Sequence, residues 1–279
     1  MRSIQELFSL REKVVIITGG MGLLGKTYAE AIAIANGYPV IADIKLNGAE
    51  EFLKILEYET GVEGFACKVD ITSEKSVQNL VVQTLAKYGR INGLINNAAL
   101  TVAKGGTEFK DYFSAFESYP LKLWQLALDT NLTGMFLVTR EIGKQMKKNS
   151  NGGSIINIAS TYGVVSPDHR IYEGTKSQYG EQSINTPIGY ATTKSAVLNF
   201  TRYLATYWAK YKIRVNTLTP GGVFAGHDKT FVDNYSSRVP LGRMAEEHEY
   251  QGAMIFLLSD ASSYMTGANL IIDGGWTCW

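Results

Sequence analysis

Tyr190 and Lys194 stand four residues apart in Tyr190-Ala191-Thr192-Thr193-Lys194, so a helix carrying them puts a phenol and an ammonium on one face. A tyrosine with its ordinary pKa of about 10 exchanges protons poorly near neutral pH, and a neighbouring ammonium lowers that value, which makes the pair a sensible acid/base unit for a carbonyl or an alcohol. The same spacing occurs in Tyr172-Glu173-Gly174-Thr175-Lys176. Periodicity separates the two. After Lys194, Ala196, Phe200, Tyr203, Leu204, Tyr207, Trp208 and Tyr211 trace a helical stripe, whereas Lys176 is followed by polar residues, Gly180 and Pro187. The second pair therefore reads as a loop; for the first, the plain alternative is a surface-facing helix start. Ser160 follows the run Ile155-Ile156-Asn157-Ile158-Ala159, and its hydroxyl can donate to a substrate oxygen. A serine there is equally common as a turn or cap residue, and Thr161 competes with it. Asn131 interrupts the apolar pattern of 124–140, with Gly134 three residues on, which predicts a local irregularity able to hold a water; a buried asparagine with its bonds satisfied is the alternative.

An anion site is written near the start of the chain. Thr18-Gly19-Gly20-Met21-Gly22-Leu23-Leu24-Gly25 leaves a β-branched run, spells GxGxxG from Gly20 and enters a helical pattern. Such a turn needs residues free of Cβ for its sharp bend and close approach, and the helix behind it offers unpaired N–H groups to phosphates. Gly19, Gly22 and Leu24 are its candidate cofactor contacts. Asp43 closes the second strand, where a carboxylate accepts hydrogen bonds from an adenosine ribose and repels a 2′-phosphate. Lys45 partly offsets that charge, and NAD is expected over NADP. Asp70, closing the third strand, belongs beside the adenine. Both aspartates could equally be strand-end turn residues.

These groups need a scaffold that brings strand ends together. Apolar runs at 14–18, 39–43, 64–70 and 91–96 alternate with helical patterns at 23–36, 48–59 and 73–88. A helix at 120–149, a strand at 154–159, a helix at 190–211, a strand at 213–218, a helix at 245–259 and a strand at 269–272 complete the alternation. The reading is a single α/β domain over 1–279, a doubly wound parallel sheet with helices on both faces. The segments 160–189 and 219–243 are too long for plain connections and are expected to border a substrate. The 279 residues carry 45% apolar and 19% charged side chains and a net charge of +1, which gives no field for nucleic acid or anionic membranes. No segment approaches the length of a membrane span, and residues 1–13 lack the apolar stretch of a signal peptide. Cys67 and Cys278 lie far apart and outside any metal-ligand spacing, so no metal is expected and a reducing, cytoplasmic setting is.

The glycine turn, Asn96-Asn97-Ala98-Ala99, Asn131, Ser160, the Tyr190/Lys194 pair, Pro220-Gly221 and Asp273-Gly274-Gly275, in this order, resemble the short-chain dehydrogenase/reductases across essentially the whole chain. The resemblance implies a seven-stranded Rossmann sheet and hydride exchange between a nicotinamide and a hydroxyl or carbonyl carbon. It makes Tyr190 the general acid/base, Lys194 the ligand of the nicotinamide ribose that lowers the Tyr190 pKa, Ser160 the group orienting the substrate oxygen and Asn131 the support of a relay water. Asn97 and Ala98 would lie against the adenosine ribose, Pro220 and Gly221 beside the nicotinamide. Two features depart from the family pattern. TGxxxGxG asks for glycine at 23, where this chain has Leu23, and Ser160 and Tyr190 are much farther apart than usual, so 166–188 reads as an insertion.

That insertion carries Asp168, His169, Arg170, Lys176, Gln178, Glu181 and Asn185, and Arg238 and Arg243 follow in the later loop. Bordering the substrate, they would favour a hydroxylated or anionic molecule over a steroid or long acyl chain; a solvated loop is the simpler alternative. A looser resemblance reaches members linked to bacterial surface-sugar synthesis. The leading expectation is an NAD-linked oxidoreductase of a polar, sugar-derived secondary alcohol or ketone. The alternatives are a 3-oxoacyl carrier-protein reductase using NADPH and a non-catalytic dinucleotide sensor. Tyr203, Tyr207, Trp208 and Tyr211 give the 190–211 helix more aromatic surface than one buried stripe needs, and the chain ends in Trp276 and Trp279, so a homo-oligomer, tetramer or dimer, is expected.

Overall fold

The computed structural model describes residues 2–101, 111–175 and 185–279. Its first strand, β1 (Val14–Thr18), is buried along its length, and its alternating side chains feed two different cores. Val14 and Ile16 pack toward the helices α4 (Glu74–Tyr88), α6 (Met135–Met146) and α7 (Ile188–Trp208). Val15 and Ile17 pack on the opposite side, toward α2 (Leu23–Ile34) and α9 (Gln251–Leu258). The remaining strands are β2 (Tyr38–Asp43), β3 (Phe65–Lys68), β4 (Gly93–Asn96), β5 (Gly153–Ile158), β6 (Ile213–Pro220) and β7 (Asn269–Ile272). All pair in parallel, in the order β3-β2-β1-β4-β5-β6-β7. The chain winds one way from β1 to β3 and the other way from β4 to β7, so the connections diverge at the carboxyl ends of β1 and β4 and leave a crevice there.

A buried polar chain sets the height of α7 on this sheet. Asn96 Nδ2 donates to Thr139 Oγ1 and to Asn157 Oδ1, both at 2.8 Å, and Asn157 Nδ2 donates to Thr201 Oγ1 at 2.9 Å. Thr217 Oγ1 donates to Thr201 Oγ1 at 2.7 Å. With both Asn96 and Asn157 satisfied in this way, sliding α7 along the sheet would leave buried amides without partners.

Several elements differ from the sequence reading. The helix expected at 120–149 is two helices, α5 (Leu121–Leu128) and α6, joined by a π turn at Asp129–Gly134. The 219–243 segment contains a further helix, α8 (Lys229–Ser236), whose N-cap is Asp228. The described part of the 160–189 segment contains two 3₁₀ turns, Thr161–Gly163 and His169–Tyr172, capped by Ser160 and Asp168. A short α1 (Ile4–Phe8) precedes β1 on a Ser3/Glu6 capping box, and α3 (Ala49–Thr60) follows β2. Trp208 and Trp276, counted among the outward aromatics, are buried; Trp208 lies against Gly143, where any Cβ would strike its ring. Among the described residues no helix is long and apolar enough to cross a membrane.

Candidate active site

Thr18 ends β1, and its hydroxyl accepts hydrogen bonds from the Asn97 and Ala98 amides, both at 3.1 Å. Asn97 Nδ2 donates to the Thr18 and Gly19 carbonyls at 3.1 and 3.0 Å, so the ends of β1 and β4 are stitched together. The stitch leaves no space for a side chain at 19. Gly19 has φ +63°, and a Cβ there would come within 2.9 Å of Ala98 Cα. Gly25 lies against the same turn: its Cβ would collide with the Gly19 carbonyl and stand 2.7 Å from Gly20 Cα. α2 therefore begins directly on the turn, with Gly22 at its N-cap, no side chain capping it and no acidic residue in its first turn. That leaves its leading amides for an anion. Leu23, in place of the family glycine, is the first helical residue and stands at the rim of the cleft.

The crevice is one continuous cleft of about 1170 Å³. That exceeds the usual volume for one small ligand and leaves space for a dinucleotide with a second molecule. Gly19, Gly22 and Leu24 line it at the glycine turn, and Asp43, Asp70, Asn97 and Ala98 line it at the ends of β2, β3 and β4. Asp43 accepts from the Met21 amide through Oδ2 and the Lys45 amide through Oδ1, both at 3.0 Å, so the turn role coexists with a place in the cleft. Asp70 likewise caps its own turn, accepting from the Thr72 amide and hydroxyl at 2.9 and 2.7 Å.

Ser160, Tyr190, Lys194, Pro220 and Gly221 line the far half. Lys194 is 4% exposed and its ammonium donates to the Ile158 carbonyl at 2.7 Å, 5.7 Å from the centre of the Tyr190 ring. Burial pushes its pKa down to about 8. Two of its three N–H donors have no acceptor among the described residues, which fits the vicinal hydroxyls of a ribose. The Tyr190 phenol is pushed above its ordinary value, first by burial, with the Ser160 hydroxyl bond opposing and the neighbouring Tyr172 adding to the rise. The expected acidification by Lys194 is thus not what dominates in the protein alone; desolvation of the phenolate is the stronger effect. Ser160 Oγ accepts from the Tyr162 amide at 3.2 Å, so the cap role and the position beside Tyr190 belong to one residue.

Asn131 does not line the cleft. It sits in the π turn, where its Oδ1 accepts from the Leu100 amide at 2.7 Å. Its Nδ2 donates to the Leu100 carbonyl at 3.3 Å and to Thr193 Oγ1 at 3.0 Å. The helix is irregular there, as expected, and the side chain is satisfied by protein partners. Its partner Thr193 lies between Tyr190 and Lys194, so Asn131 holds the turn that carries them.

The described parts of the two long segments pack together at the far end of the cleft. Ile171, Tyr235, Val239, Met244 and Trp276 form the core of this packing, joined by Tyr162, Tyr172 and Phe231. Asn234 Nδ2 binds the Ile171 and Glu173 carbonyls at 3.1 and 3.0 Å, and Tyr235 stacks on Trp276 with ring centres 4.4 Å apart. Asp273 accepts from the Gly275 and Thr277 amides at 2.9 Å, so Asp273-Gly274-Gly275 delivers Trp276 to this roof. The polar residues expected to face the substrate divide. Asn185 lines the cleft, while Asp168 takes both Arg170 (2.8 Å) and Arg238 (3.2 Å) and Arg243 takes Glu249 (2.6 Å), away from its lining. His169 is likewise outside the lining, and Lys176, Gln178 and Glu181, with the competing Tyr172/Lys176 pair, fall partly or wholly outside the described residues. The sequence reading missed Thr18, and it missed His227, Asp228 and Phe231. For the last three a signal existed: an N-cap aspartate followed by Phe231, Val232 and Tyr235 at helical spacing.

The fold and this cleft define a Rossmann-type, dinucleotide-dependent oxidoreductase. Residues 13–177 match the family model described as short chain dehydrogenase, and residues 174–277 match one described as Enoyl-(Acyl carrier protein) reductase. The chain belongs to the short-chain dehydrogenase/reductase family. It is 32% identical to a D-threitol dehydrogenase of Mycolicibacterium smegmatis, over 97% of this chain and 95% of that one. It is 29% identical to an NAD-dependent glycerol dehydrogenase of Listeria innocua, over 97% and 96%. A gluconate 5-dehydrogenase of Burkholderia cenocepacia, solved with NADP and tartrate, superposes with a TM-score of 0.84 at 27% identity, covering 99% of this chain and all of that one.

Proposed function

We propose that this oxidoreductase interconverts a secondary alcohol and its ketone on a polyol or sugar-derived substrate, with NAD as its cofactor. The observation that carries the reading is the convergence of Ser160, Tyr190 and the buried Lys194 at one end of a cleft whose other end is the uncapped phosphate turn and Asp43. When bound, the dinucleotide supplies the two-electron redox couple. Gly19, Gly22 and Leu24 would border its pyrophosphate, Asp43 its adenosine ribose, Asp70, Asn97 and Ala98 the same half, Lys194 the second ribose, and Pro220 and Gly221 the reactive ring. Tyr190 gives its proton to the carbonyl oxygen in reduction and takes the hydroxyl proton in oxidation. Ser160 donates to that same oxygen, fixing its position and spreading the charge that develops on it. Because burial holds the phenol protonated at neutral pH, reduction is favoured there and oxidation rises as the pH is raised. Asn131, through Thr193, keeps the Tyr190 turn in register, and the widened helix around it is where a relay water would be held. The test is reduction of NAD, followed at the NADH absorbance, with glycerol, threitol, arabinitol and xylitol; relatives named for such polyols support that choice. No turnover with any polar alcohol, with NAD bound, would support the sensor reading instead.

Asp43→Ser sets the cofactor preference. It removes a carboxylate that would repel a 2′-phosphate and accept from ribose hydroxyls. The kcat/KM ratio of NAD over NADP should fall by roughly 10- to 100-fold, the size of a hydrogen bond to a charged group. An unchanged ratio would place the preference elsewhere.

Assembly follows from surface. Tyr203 and Tyr207 on α7 are 63% and 59% exposed with their rings stacked, and Leu121 and Phe136 stand exposed on α5 and α6. A face of this kind supports association with further copies of the chain, as a tetramer or dimer. Light scattering should give a mass of at least two chains; a monomer would contradict it. The free thiols of Cys67 and Cys278 are in keeping with a reducing compartment such as the cytoplasm.

A further inference from the structure

We infer that the far end of the cleft selects an uncharged vicinal diol: His227, Asp228 and Asn185 bind hydroxyls beyond the reacting carbon while Phe231 and Tyr172 cover the substrate's CH face. The inference rests on the alcohol/ketone reading of the same cleft and adds to it a substrate class and the residues that choose it.

Each polar group there has one atom engaged and one open. Asp228 Oδ1 accepts from the Thr230 and Phe231 amides at 3.0 and 3.3 Å as the cap of α8, and its Oδ2 has no partner among the described residues. Asn185 Nδ2 donates to the Phe113 carbonyl at 3.1 Å, and its Oδ1 has no partner among the described residues. His227 Nδ1 accepts from the Ala225 amide at 3.2 Å, so the neutral ring carries its proton on Nε2, and burial lowers its pKa and keeps it neutral. All three residues line the cleft. Two acceptors and one uncharged donor complement hydroxyl groups, each of which both donates and accepts. A carboxylate or phosphate, which only accepts, would meet the Asp228 charge and the Asn185 carbonyl oxygen with the His227 Nε2–H as the one donor of the three to set against them.

The wall beside them is aromatic. Tyr172 and Phe231 are stacked with centres 5.6 Å apart, and the His227 ring lies 5.1 Å from Phe231. Tyr172 is held by its hydroxyl to Thr186 Oγ1 at 2.9 Å, which fixes its plane. A polyol offers CH groups on one side and hydroxyls on another, and this corner offers an apolar face next to open polar atoms. Arg170, Arg238 and Arg243, expected to attract an anion, are spent on Asp168 and Glu249.

The test uses the full chain with NAD and two probes, cyclohexane-1,2-diol and cyclohexanol, in the parent and in Asp228→Asn and Phe231→Leu. Asparagine caps a helix as well as aspartate does, so α8 is kept while the charged acceptor is lost. The parent should prefer the diol by roughly 10-fold or more in kcat/KM, and Asp228→Asn should reduce that preference by roughly 10- to 100-fold, mostly through KM. In the complex with NADH, saturation-transfer NMR should show the diol's ring CH protons in contact with the protein, and Phe231→Leu should weaken that transfer without altering NADH affinity. Tartrate, a charged diol, should not compete. Equal turnover of the two alcohols, a preference that ignores Asp228, or competition by tartrate as strong as that of threitol would overturn the inference and leave the oxidoreductase reading standing. NAD binding with neither turnover nor saturation transfer would remove both.

Discussion

Tyr190→Phe should lower turnover in both directions by roughly 100- to 10,000-fold, the span that positioned acid/base groups contribute, while NADH binds within about twofold of the parent affinity. The two halves of this expectation have separate structural causes. In the proposed mechanism the phenol oxygen, beside Ser160 in the cleft, carries the proton, and a phenylalanine ring fills the same space without it. The dinucleotide contacts proposed above are assigned mainly to the glycine turn, Asp43 and Lys194, which the substitution leaves unchanged. Ser160 alone cannot substitute, because an aliphatic hydroxyl is far less acidic than a phenol and its oxygen also serves the Tyr162 amide. The measurement is steady-state NADH absorbance with a competent polyol, paired with an NADH fluorescence titration. Turnover that survives the substitution would move the acid/base role to another group, and lost NADH binding would show that the ring shapes the dinucleotide site.

The strands, the phosphate turn and the Tyr190 helix were legible because their signals are local: β-branched runs, glycines at fixed spacing and a stripe of period 3.6. The choice between two Tyr/Lys pairs was settled by that stripe alone, and the structure places Tyr190 and Lys194 in the cleft. What was not legible depends on pairings distant in sequence. Nothing near Arg170 announces that Arg238 shares its carboxylate at Asp168, so both arginines read as substrate-facing. Trp276 looks like surface at the chain's end, yet Asp273 turns it under Tyr235. The rise of the Tyr190 phenol in the protein alone is hidden from the sequence for a related reason. Spacing reveals the neighbouring ammonium, whereas the burial that raises the phenol, with the neighbouring Tyr172 adding to the rise, appears only once α8 has packed against the described part of 160–189. Asn131 lies between these cases: a poor helix former in an apolar stripe correctly marked an irregular turn, but its bonds to Leu100 and Thr193 span distances that no local pattern encodes.

Lys194→Met should abolish most turnover, by roughly 100-fold or more, and yet raise the melting temperature of the protein without dinucleotide at pH 7. Lys194 has a folded pKa of about 8 against an ordinary value of 10.5, so folding takes its ammonium out of water without a carboxylate to meet it. The sign follows from which state holds the proton. Below about pH 8 both states are protonated, and the folded one carries the full desolvation penalty. Between about 8 and 10.5 the unfolded chain keeps a proton that the folded one sheds, so this contribution to stability improves with rising pH. The penalty is on the order of 3 kcal/mol, and losing the bond to the Ile158 carbonyl offsets about 1 kcal/mol of the gain from removing it. Methionine has similar length and no charge, and the net change corresponds to a rise of roughly 3–6 °C. That advantage should shrink as the pH passes 8, and shrink again with saturating NADH, because the parent gains binding energy through the ammonium's two open donors and the variant does not. Differential scanning calorimetry at pH 7 and 9, with and without NADH, measures all three differences. A variant less stable than the parent at pH 7 without NADH would mean that the ammonium's protein contacts outweigh its burial, and that the lysine is held in place by the fold rather than held there at the fold's expense.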